Sequence, residues 1–207
     1  MNTIPNVLLT DIVRRVGKHG FRELGPLIAA GPATKAIIFS DEVLKDADID
    51  EFVFVSRHSL ENSRYRPFLL KCLAAGNVTA NYVEGLRLAV QTGPSQRAID
   101  LLASATDEVI YAQFALAAFL ICSGAFDQGM EVFFAFFSRV GTIEEAVGTA
   151  EMVIHLIADM GILPSGLYDK TLRFGGLPHC VLNNFSLLHL CPKCFAFKYA
   201  THIQEMC

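Results

Sequence analysis

Residues 80–88 read ANYVEGLRL, and residues 112–120 read AQFALAAFL. The two stretches share an alanine, an aromatic ring, a small residue and a leucine at equal spacing. The matching pairs are Ala80 and Ala112, Tyr82 and Phe114, Gly85 and Ala117, and Leu88 and Leu120. Small side chains let two helices approach closely, and large ones fill the space between them. The match therefore predicts a helical unit that repeats after 32 residues.

The chain around these stretches predicts six helices, because apolar runs alternate with turns marked by glycine and proline. The predicted ranges are 66–75, 79–92, 95–105, 107–122, 126–139 and 142–160. Pro94 is expected in the first turn of the third of these helices, and Thr142 and Glu145 have the spacing of a capping box. In the second helix of each unit, Leu101-Leu102 is matched with Phe133-Phe134. A third copy, from about Ala146, is poorer.

A second pattern, IPNVLLTDIVRRV, occupies residues 4–16. Its apolar residues recur at spacings of three and four, which places them on one helix face, with Thr3 available as N-cap and Pro5 in the first turn. The N-terminal stripe, as we call this face, comprises Ile4, Pro5, Leu8, Leu9, Ile12, Val13 and Val16. From the residues alone, such a stripe either closes a core or binds a partner.

The sequence between the stripe and residue 66 predicts two more short helices, over 21–28 and 33–45, and an acidic loop at 46–51. Phe52-Val53-Phe54-Val55 is prone to β structure and is expected to form an extended linker. The predicted organisation is a segment at 1–50, a linker at 51–65, helical repeats at 66–161 and a poorly ordered tail containing Cys and His residues at 162–207. The fold class is all-α.

Composition indicates a substantial core and excludes several partners. Apolar residues make up 52% of the 207-residue chain, charged residues make up 18%, and the net charge is -4. Because Lys and Arg are scattered, neither nucleic acid nor a membrane is an expected partner. The uncharged stretch 109–126 approaches the length of a membrane span, but a buried helix explains it more simply. We find no signal peptide pattern, so the expected location is cytoplasm or nucleus.

Metal chemistry has weak support in the sequence. The candidate ligands are Cys180, Cys191, Cys194 and Cys207, of which Cys191 and Cys194 form a CxxC pair. Such a pair is compatible with zinc, but a second CxxC or CxxH is missing, so ordinary free thiols are expected. No cofactor is expected. The central histidines, His58 among them, have no catalytic partner at a recognisable motif spacing, so the sequence predicts no enzyme.

Four phenylalanines, Phe133, Phe134, Phe136 and Phe137, cover two faces of one predicted helix. We expect all four to lie in the core, while the alternative leaves one pair to line a groove for a partner.

Taken together, these segments resemble plant F-box proteins that carry a short region of TPR-like or Sel1-like helical repeats. The resemblance covers about residues 4–135. It rests on IPNVLLTDIVRRV at 4–16, EVLKDADIDEF at 42–52, FLLKCLAAGNVTANYVEGL at 68–86 and FLICSGAFDQGMEVF at 119–133. The F-box part is degenerate, since Gly31-Pro32 and Ala36 depart from the pattern of its third helix.

The resemblance implies F-box-like helices followed by an α-solenoid of helical hairpins. It also implies a non-catalytic function, the recognition of substrates for an SCF-type cullin-RING ubiquitin ligase. The N-terminal stripe would then bind a Skp-type adaptor, and the repeats would bind a protein substrate whose identity is unknown. The alternatives are a helical-repeat interaction scaffold with a decayed F-box and no ligase link, and an enzyme or metalloprotein that uses the cysteine-containing tail.

Overall fold

The computed structural model describes residues 5–161, 163–172 and 191–207, and every regular element in these ranges is helical. The α-helices are α1 (Asn6–Gly17), α2 (Leu24–Ala29), α3 (Pro32–Ile38), α4 (Asp41–Asp46), α5 (Glu51–Phe54), α6 (Arg66–Ala74), α7 (Val78–Thr92), α8 (Gln96–Ala105), α9 (Ile110–Cys122), α10 (Phe126–Val140), α11 (Ile143–Asp159) and α12 (Pro192–Met206). Two 3₁₀ turns, Phe21–Glu23 and Ser56–Ser59, accompany them. The predicted all-α class is confirmed.

The chain divides into two compact units, Met1–Val83 and Glu84–Cys207, and the boundary falls within α7. Among the described residues, no helix combines the length and the hydropathy needed to cross a bilayer.

The six helices predicted from residue 66 onward all occur as α6 to α11, with ends that differ by at most three residues. Two capping predictions have different outcomes. The Thr142 hydroxyl accepts a hydrogen bond from the Glu145 amide at 3.2 Å, as expected at a helix start. Pro94 does not lie in the first turn of α8, because Ser95 is the N-cap and accepts from the Ala98 amide.

Three predictions about elements of the first unit are wrong. The helix expected over 33–45 is two helices, since Ser40 adopts an extended conformation and becomes the N-cap of α4. The prediction of an extended linker over 52–55 is wrong, because α5 is helical there. A helix buries the adjacent Phe52 and Val53 together, whereas a strand would point them to opposite faces. Pro5 is the N-cap of α1 and is not in its first turn, and Thr3 lies outside the described residues.

The core of the first unit forms where α1 to α4 meet. Val13, Leu24, Ile38 and Val43 are fully buried in it, and Phe68 packs against them. The Asn77 side chain closes the edge of this core: its amide nitrogen lies 3.1, 3.0 and 2.8 Å from the carbonyl oxygens of Leu44, Lys45 and Ala47. The side-chain oxygen of Asn77 accepts a hydrogen bond from the Ala80 amide at 3.0 Å, and this bond caps α7.

The second unit contains two helix pairs of the same construction. In each pair a glycine on one helix meets an alanine on the other. A Cβ atom on Gly85 would lie 3.2 Å from the Ala98 carbonyl oxygen of α8, and a Cβ on Gly129 would lie 2.8 Å from the Ala117 carbonyl oxygen of α9. The turns that join the helices contain Gly93 and Gly124, at φ 78° and 90°. Close contact between backbones therefore defines both pairs.

Burial follows the predicted repeat in the first helix of each pair and corrects it in the second. Ala80 and Ala112 are buried, as are Tyr82 and Phe114, while Leu88 and Leu120 are half-buried. In the second helices the buried pairs are Ala98 and Gly129, Leu102 and Phe133, and Ala105 and Phe136, which are 31 residues apart. The proposed match of Leu101-Leu102 with Phe133-Phe134 is thus wrong by one residue, and the turn glycines Gly93 and Gly124 are likewise 31 residues apart.

Helix α9 is the centre of the second unit. Nine of its residues are buried, and α8, α10, α11 and α12 all contact it. The uncharged stretch at 109–126 therefore contains a buried helix, as expected. Its Phe114 ring contacts the rings of Phe133, Phe195 and Tyr199 at centroid distances of 5.8, 6.1 and 5.6 Å.

Two expectations for the second unit are wrong. The tail is not poorly ordered over residues 192–206, which form α12 and bury Cys194, Phe195 and Tyr199 against the rest of the unit. Nor do all four phenylalanines lie in the core. Phe133 and Phe136 are buried and Phe137 is half-buried against Phe195, but Phe134 is 49% exposed.

The close crossing of two helices at Gly129 predicts that two Gly→Ala substitutions have opposite effects on the stability of the fold. Gly129→Ala places a Cβ 2.5 Å from Ile121 Cγ1 and should destabilise the fold by about 1–3 kcal/mol through overpacking. Gly148→Ala, on α11, meets nothing within 4 Å and should stabilise it by up to about 1 kcal/mol through helix propensity. Chemical denaturation measures both values, and equal stabilities for the two variants would contradict the close crossing.

Candidate functional site

Helix α1 exposes large apolar side chains on one side. Val7 is 81% exposed, Leu8 is 56% exposed and Ile12 is 47% exposed. Leu8 and Ile12 are one helical turn apart, so they form a continuous patch on the helix surface. We call Val7, Leu8 and Ile12 the α1 ridge. Exposed clusters of large apolar residues are characteristic of surfaces that bind a partner.

The adjoining face of α1 belongs to the core of the first unit. Val13 is fully buried, and Leu9 and Val16 pack against the core residues. The N-terminal stripe is therefore divided between two environments: Leu9, Val13 and Val16 close the core, whereas Leu8 and Ile12 face solvent. Pro5 is also exposed, and Ile4 lies outside the described residues. The prediction that the stripe closes a core thus holds for Leu9, Val13 and Val16, and the exposed Leu8 and Ile12 leave the binding of a partner a prediction.

Ion pairs and backbone hydrogen bonds hold α1 in place. Arg14 lies 3.0 Å from Glu42 and 3.4 Å from Asp46, both on α4, and Lys18 lies 3.3 Å from Asp46. At the end of the helix, the Gly17 carbonyl oxygen accepts a hydrogen bond from the Asp48 amide at 2.9 Å. These contacts fix the direction in which the α1 ridge points. Asp46, at the start of the predicted acidic loop, is thereby engaged in ion pairs.

One cluster of polar side chains was not predicted from the sequence. Arg22 pairs with the Glu51 carboxylate through two nitrogens, and His58 Nε2 lies 3.0 Å from Glu51 Oε1. Arg22 also donates to the Tyr65 hydroxyl at 2.8 Å, and the Phe21 and Phe52 rings pack beside the cluster. No motif connects residues 22, 51 and 58 in the sequence. The helical turn of α5, predicted as an extended linker, is what brings Glu51 between Arg22 and His58.

The hydrogen bond from Arg22 lowers the pKa of Glu51 to about 2, from an ordinary value of 4.5, and His58 adds to the effect. Beside this cluster lies a cleft of about 230 Å³, lined by His19, Gly20, Phe21, Arg22, Glu23, Asp48, Asp50 and Glu51. Burial and the neighbouring Asp48 raise the pKa of Asp50. Glu51 is occupied by Arg22 and His58, so its carboxylate serves to join the segment at 21–23 to the segment at 51–65.

Two of the candidate metal ligands, and no more within the described residues, are brought together. Cys191 and Cys194 are in contact, with 3.4 Å between their sulfur atoms. Cys207 lies at the opposite end of α12, about 24 Å along the helix axis, and Cys180 lies outside the described residues. Within the described ranges, no group of three or more His, Cys, Asp or Glu side chains is placed to hold a metal ion.

Comparison of the chain with protein-family models, with curated proteins and with solved structures finds no match. The proposed function therefore rests on the sequence resemblance and on the geometry of the described residues.

The Glu51 pKa predicts a defined acid dependence of stability. Because the folded-state pKa lies below the unfolded value, Glu51 stabilises the fold above pH of about 4.5, and this stabilisation is lost as pH falls toward about 2. Glu51→Gln should therefore lower the melting temperature near neutral pH, and its difference from the wild type should shrink steadily below pH of about 5.

Glu131→Gln, an exposed glutamate on α10, is the matched control and should melt as the wild type does across the same range. Thermal melts followed by circular dichroism measure all three proteins. A difference between Glu51→Gln and wild type that stays constant down to pH of about 2 would contradict the role assigned to Glu51.

Proposed function

We propose that this chain is an F-box-like, non-catalytic adaptor that recognises substrates for an SCF-type cullin-RING ubiquitin ligase. In this proposal the α1 ridge binds the Skp-type adaptor. The observation that carries the proposal is the division of α1: Leu9 and Val13 are committed to the core, while Val7, Leu8 and Ile12 are exposed. A helix fixed in this way presents its apolar patch without needing to leave the fold.

The energetics of the ridge fit a docking helix. Full burial of a large aliphatic side chain contributes about 1.5–3 kcal/mol before the costs of ordering, and the ridge offers three such side chains. A few central anchors of this kind supply most of the affinity of many interfaces. Arg15 and Asp11, paired at 3.1 Å across one helical turn beside the ridge, supply a polar rim.

Preorganisation supports the same interpretation. The ion pairs from Arg14 and Lys18 to α4, and the backbone bond from Asp48 to Gly17, hold α1 before any partner arrives. A surface ordered in advance loses less conformational entropy on binding than a segment that folds on its partner.

The second unit is proposed to bind the substrate protein through an α-solenoid built from helix pairs. Two pairs, α7 with α8 and α9 with α10, share the Gly/Ala crossing described above. Phe134 is exposed on α10 although Phe133 and Phe136 on the same helix are buried. We assign Phe134 to the substrate-binding surface, since an exposed aromatic side chain is a frequent anchor of protein interfaces.

A helical-repeat scaffold with a decayed F-box is the second candidate. One observation favours it: Pro32 begins α3, and this helix is only seven residues long. Such a short helix departs from the F-box pattern that the resemblance implies at this place. In this alternative the second unit carries all partner binding, and the α1 ridge has no ligase partner.

The deciding experiment measures binding of the purified full chain to a Skp-type adaptor. Leu8→Asp with Ile12→Asp should weaken binding at least about a hundredfold, because charged groups replace two apolar anchors. The matched control is Leu70→Asp with Phe134→Asp, which changes side chains that are 42% and 49% exposed on α6 and α10. This control should bind the adaptor as the wild type does.

Point substitutions discriminate better than a deletion of residues 1–50, which would remove the carbonyl groups that Asn77 binds. Circular dichroism verifies that both double variants remain folded. If the wild-type chain fails to bind under conditions in which a standard F-box protein binds, the adaptor proposal is overturned. If both double variants bind equally well, the ridge is not the contact surface.

A further inference from the structure

We propose that Cys191 and Cys194 form a redox-active dithiol, which reacts by thiol–disulfide exchange with small disulfides of the glutathione disulfide class. Cys191 is the attacking thiol, and Cys194 is the resolving thiol. This site is independent of the proposed adaptor function. It accounts for the CxxC pair, which neither the α1 ridge nor the helix pairs use.

The first observation is contact between the two sulfur atoms. Cys191 Sγ and Cys194 Sγ are 3.4 Å apart, so each lies within van der Waals contact of the other. A disulfide requires about 2.05 Å between the sulfur atoms. The two sulfur atoms must therefore come closer by little more than 1 Å. Rotation of a side chain can supply this movement at a residue whose backbone is not helical. Cys191 is such a residue, since it precedes α12 with φ -70° and ψ 160°.

The second observation is the unequal exposure of the two residues. Cys191 is half-buried, whereas Cys194 is fully buried. Cys191 is therefore the residue of the pair that an external disulfide can approach. The buried sulfur is in turn positioned beside that of Cys191, where it can attack a mixed disulfide formed there. This division of roles is what a dithiol exchange reaction requires.

The third observation is the position at the start of a long helix. Cys191 is the N-cap of α12, which runs for 15 residues, and its carbonyl oxygen accepts the first helical hydrogen bond from the Phe195 amide at 2.9 Å. The positive end of a helix dipole favours an anionic group, and thiolates are the reactive form of cysteine. The burial of Phe195 and Tyr199 fixes the helix that carries both cysteines.

The remaining described cysteines are buried, which suppresses their attack on an external disulfide. Burial raises the pKa of the Cys72 thiol to about 12 and that of Cys207 to about 11. Burial also raises the pKa of Cys122, whose sulfur donates a hydrogen bond to the Ala200 carbonyl oxygen. These three thiols are internal controls within the same folded chain.

The reaction balances in two steps. The Cys191 thiolate attacks one sulfur of the small disulfide, forms a mixed disulfide and releases the first thiolate. The Cys194 thiolate then attacks Cys191 Sγ, closes the Cys191–Cys194 disulfide and releases the second thiolate. The dithiol thereby loses two electrons and two protons, and the small disulfide is reduced to two thiols.

The test uses the reduced full chain, treated with a chelator and then incubated with glutathione disulfide. Trypsin cleaves after Lys193, between the two cysteines, so a Cys191–Cys194 disulfide joins two peptides that reduction separates. We expect this linked pair in the wild type. Because Cys180 shares the peptide that ends at Lys193, Cys180→Ser is included and should give the same link.

A trapping variant assigns the two roles. Cys194→Ser should accumulate one glutathione on Cys191, because no resolving thiol remains, and Cys191→Ser should leave Cys194 largely unmodified. Differential alkylation of the wild type needs no variant, and it should show Cys191 reacting at least about tenfold faster than Cys72, Cys122 and Cys207. Equal reaction rates, or a link from Cys180 in place of the Cys191–Cys194 link, would overturn the proposal.

Discussion

Helix α1 contains more large aliphatic surface than one small core can cover. Six of its twelve residues are Val, Leu or Ile, and only the face formed by Leu9, Val13 and Val16 meets the residues of α2, α3 and α4. The three side chains of the α1 ridge remain outside because neighbouring positions on a helix point in different directions. This constraint connects the fold with the proposed function, since the core holds the helix and the surplus apolar surface is available to a partner.

A second constraint governs the unit formed by residues 84–207, where backbones approach closely at small residues. The same contact between a glycine and an alanine of the facing helix occurs in two helix pairs. The glycine lies on the first helix in one pair and on the second helix in the other. Large side chains beside these crossings fill the space that the close approach leaves, and Leu102 and Phe133 occupy equivalent buried positions. The repeat therefore has a physical meaning as a repeated crossing between two helices.

Long helices with clear punctuation could be predicted from the sequence, and short ones could not. The ends of α6 to α11 were predictable because glycine or a capping residue such as Thr142 marks them. Helix α5 was missed because four β-prone residues in a row outweighed the local signal, while tertiary burial of Phe52 and Val53 decided the outcome. The tail was misjudged because its glycines and prolines obscured the apolar face of α12.

The candidate sites, too, could be predicted only in part from the sequence. The apolar periodicity of residues 4–16 predicted helix α1, but periodicity alone does not reveal which part of a stripe a neighbouring helix covers. The contact of Glu51 with Arg22 and His58 depends on three separate short helical elements, so no spacing in the sequence could have indicated it. In contrast, the CxxC spacing was visible, and only the structure shows the two sulfur atoms in contact at the start of a helix.

The central claim is that α1 uses adjacent faces for its own core and for a partner. Hydroxyl-radical footprinting of the full chain, alone and mixed with a Skp-type adaptor, tests it most directly. The account predicts that Leu8 and Ile12 are labelled in the free chain and protected by the adaptor, while Val13 is unlabelled in both samples. Labelling of Leu8 and Ile12 that the adaptor leaves unchanged would contradict the account, as would labelling of Val13 equal to theirs in the free chain.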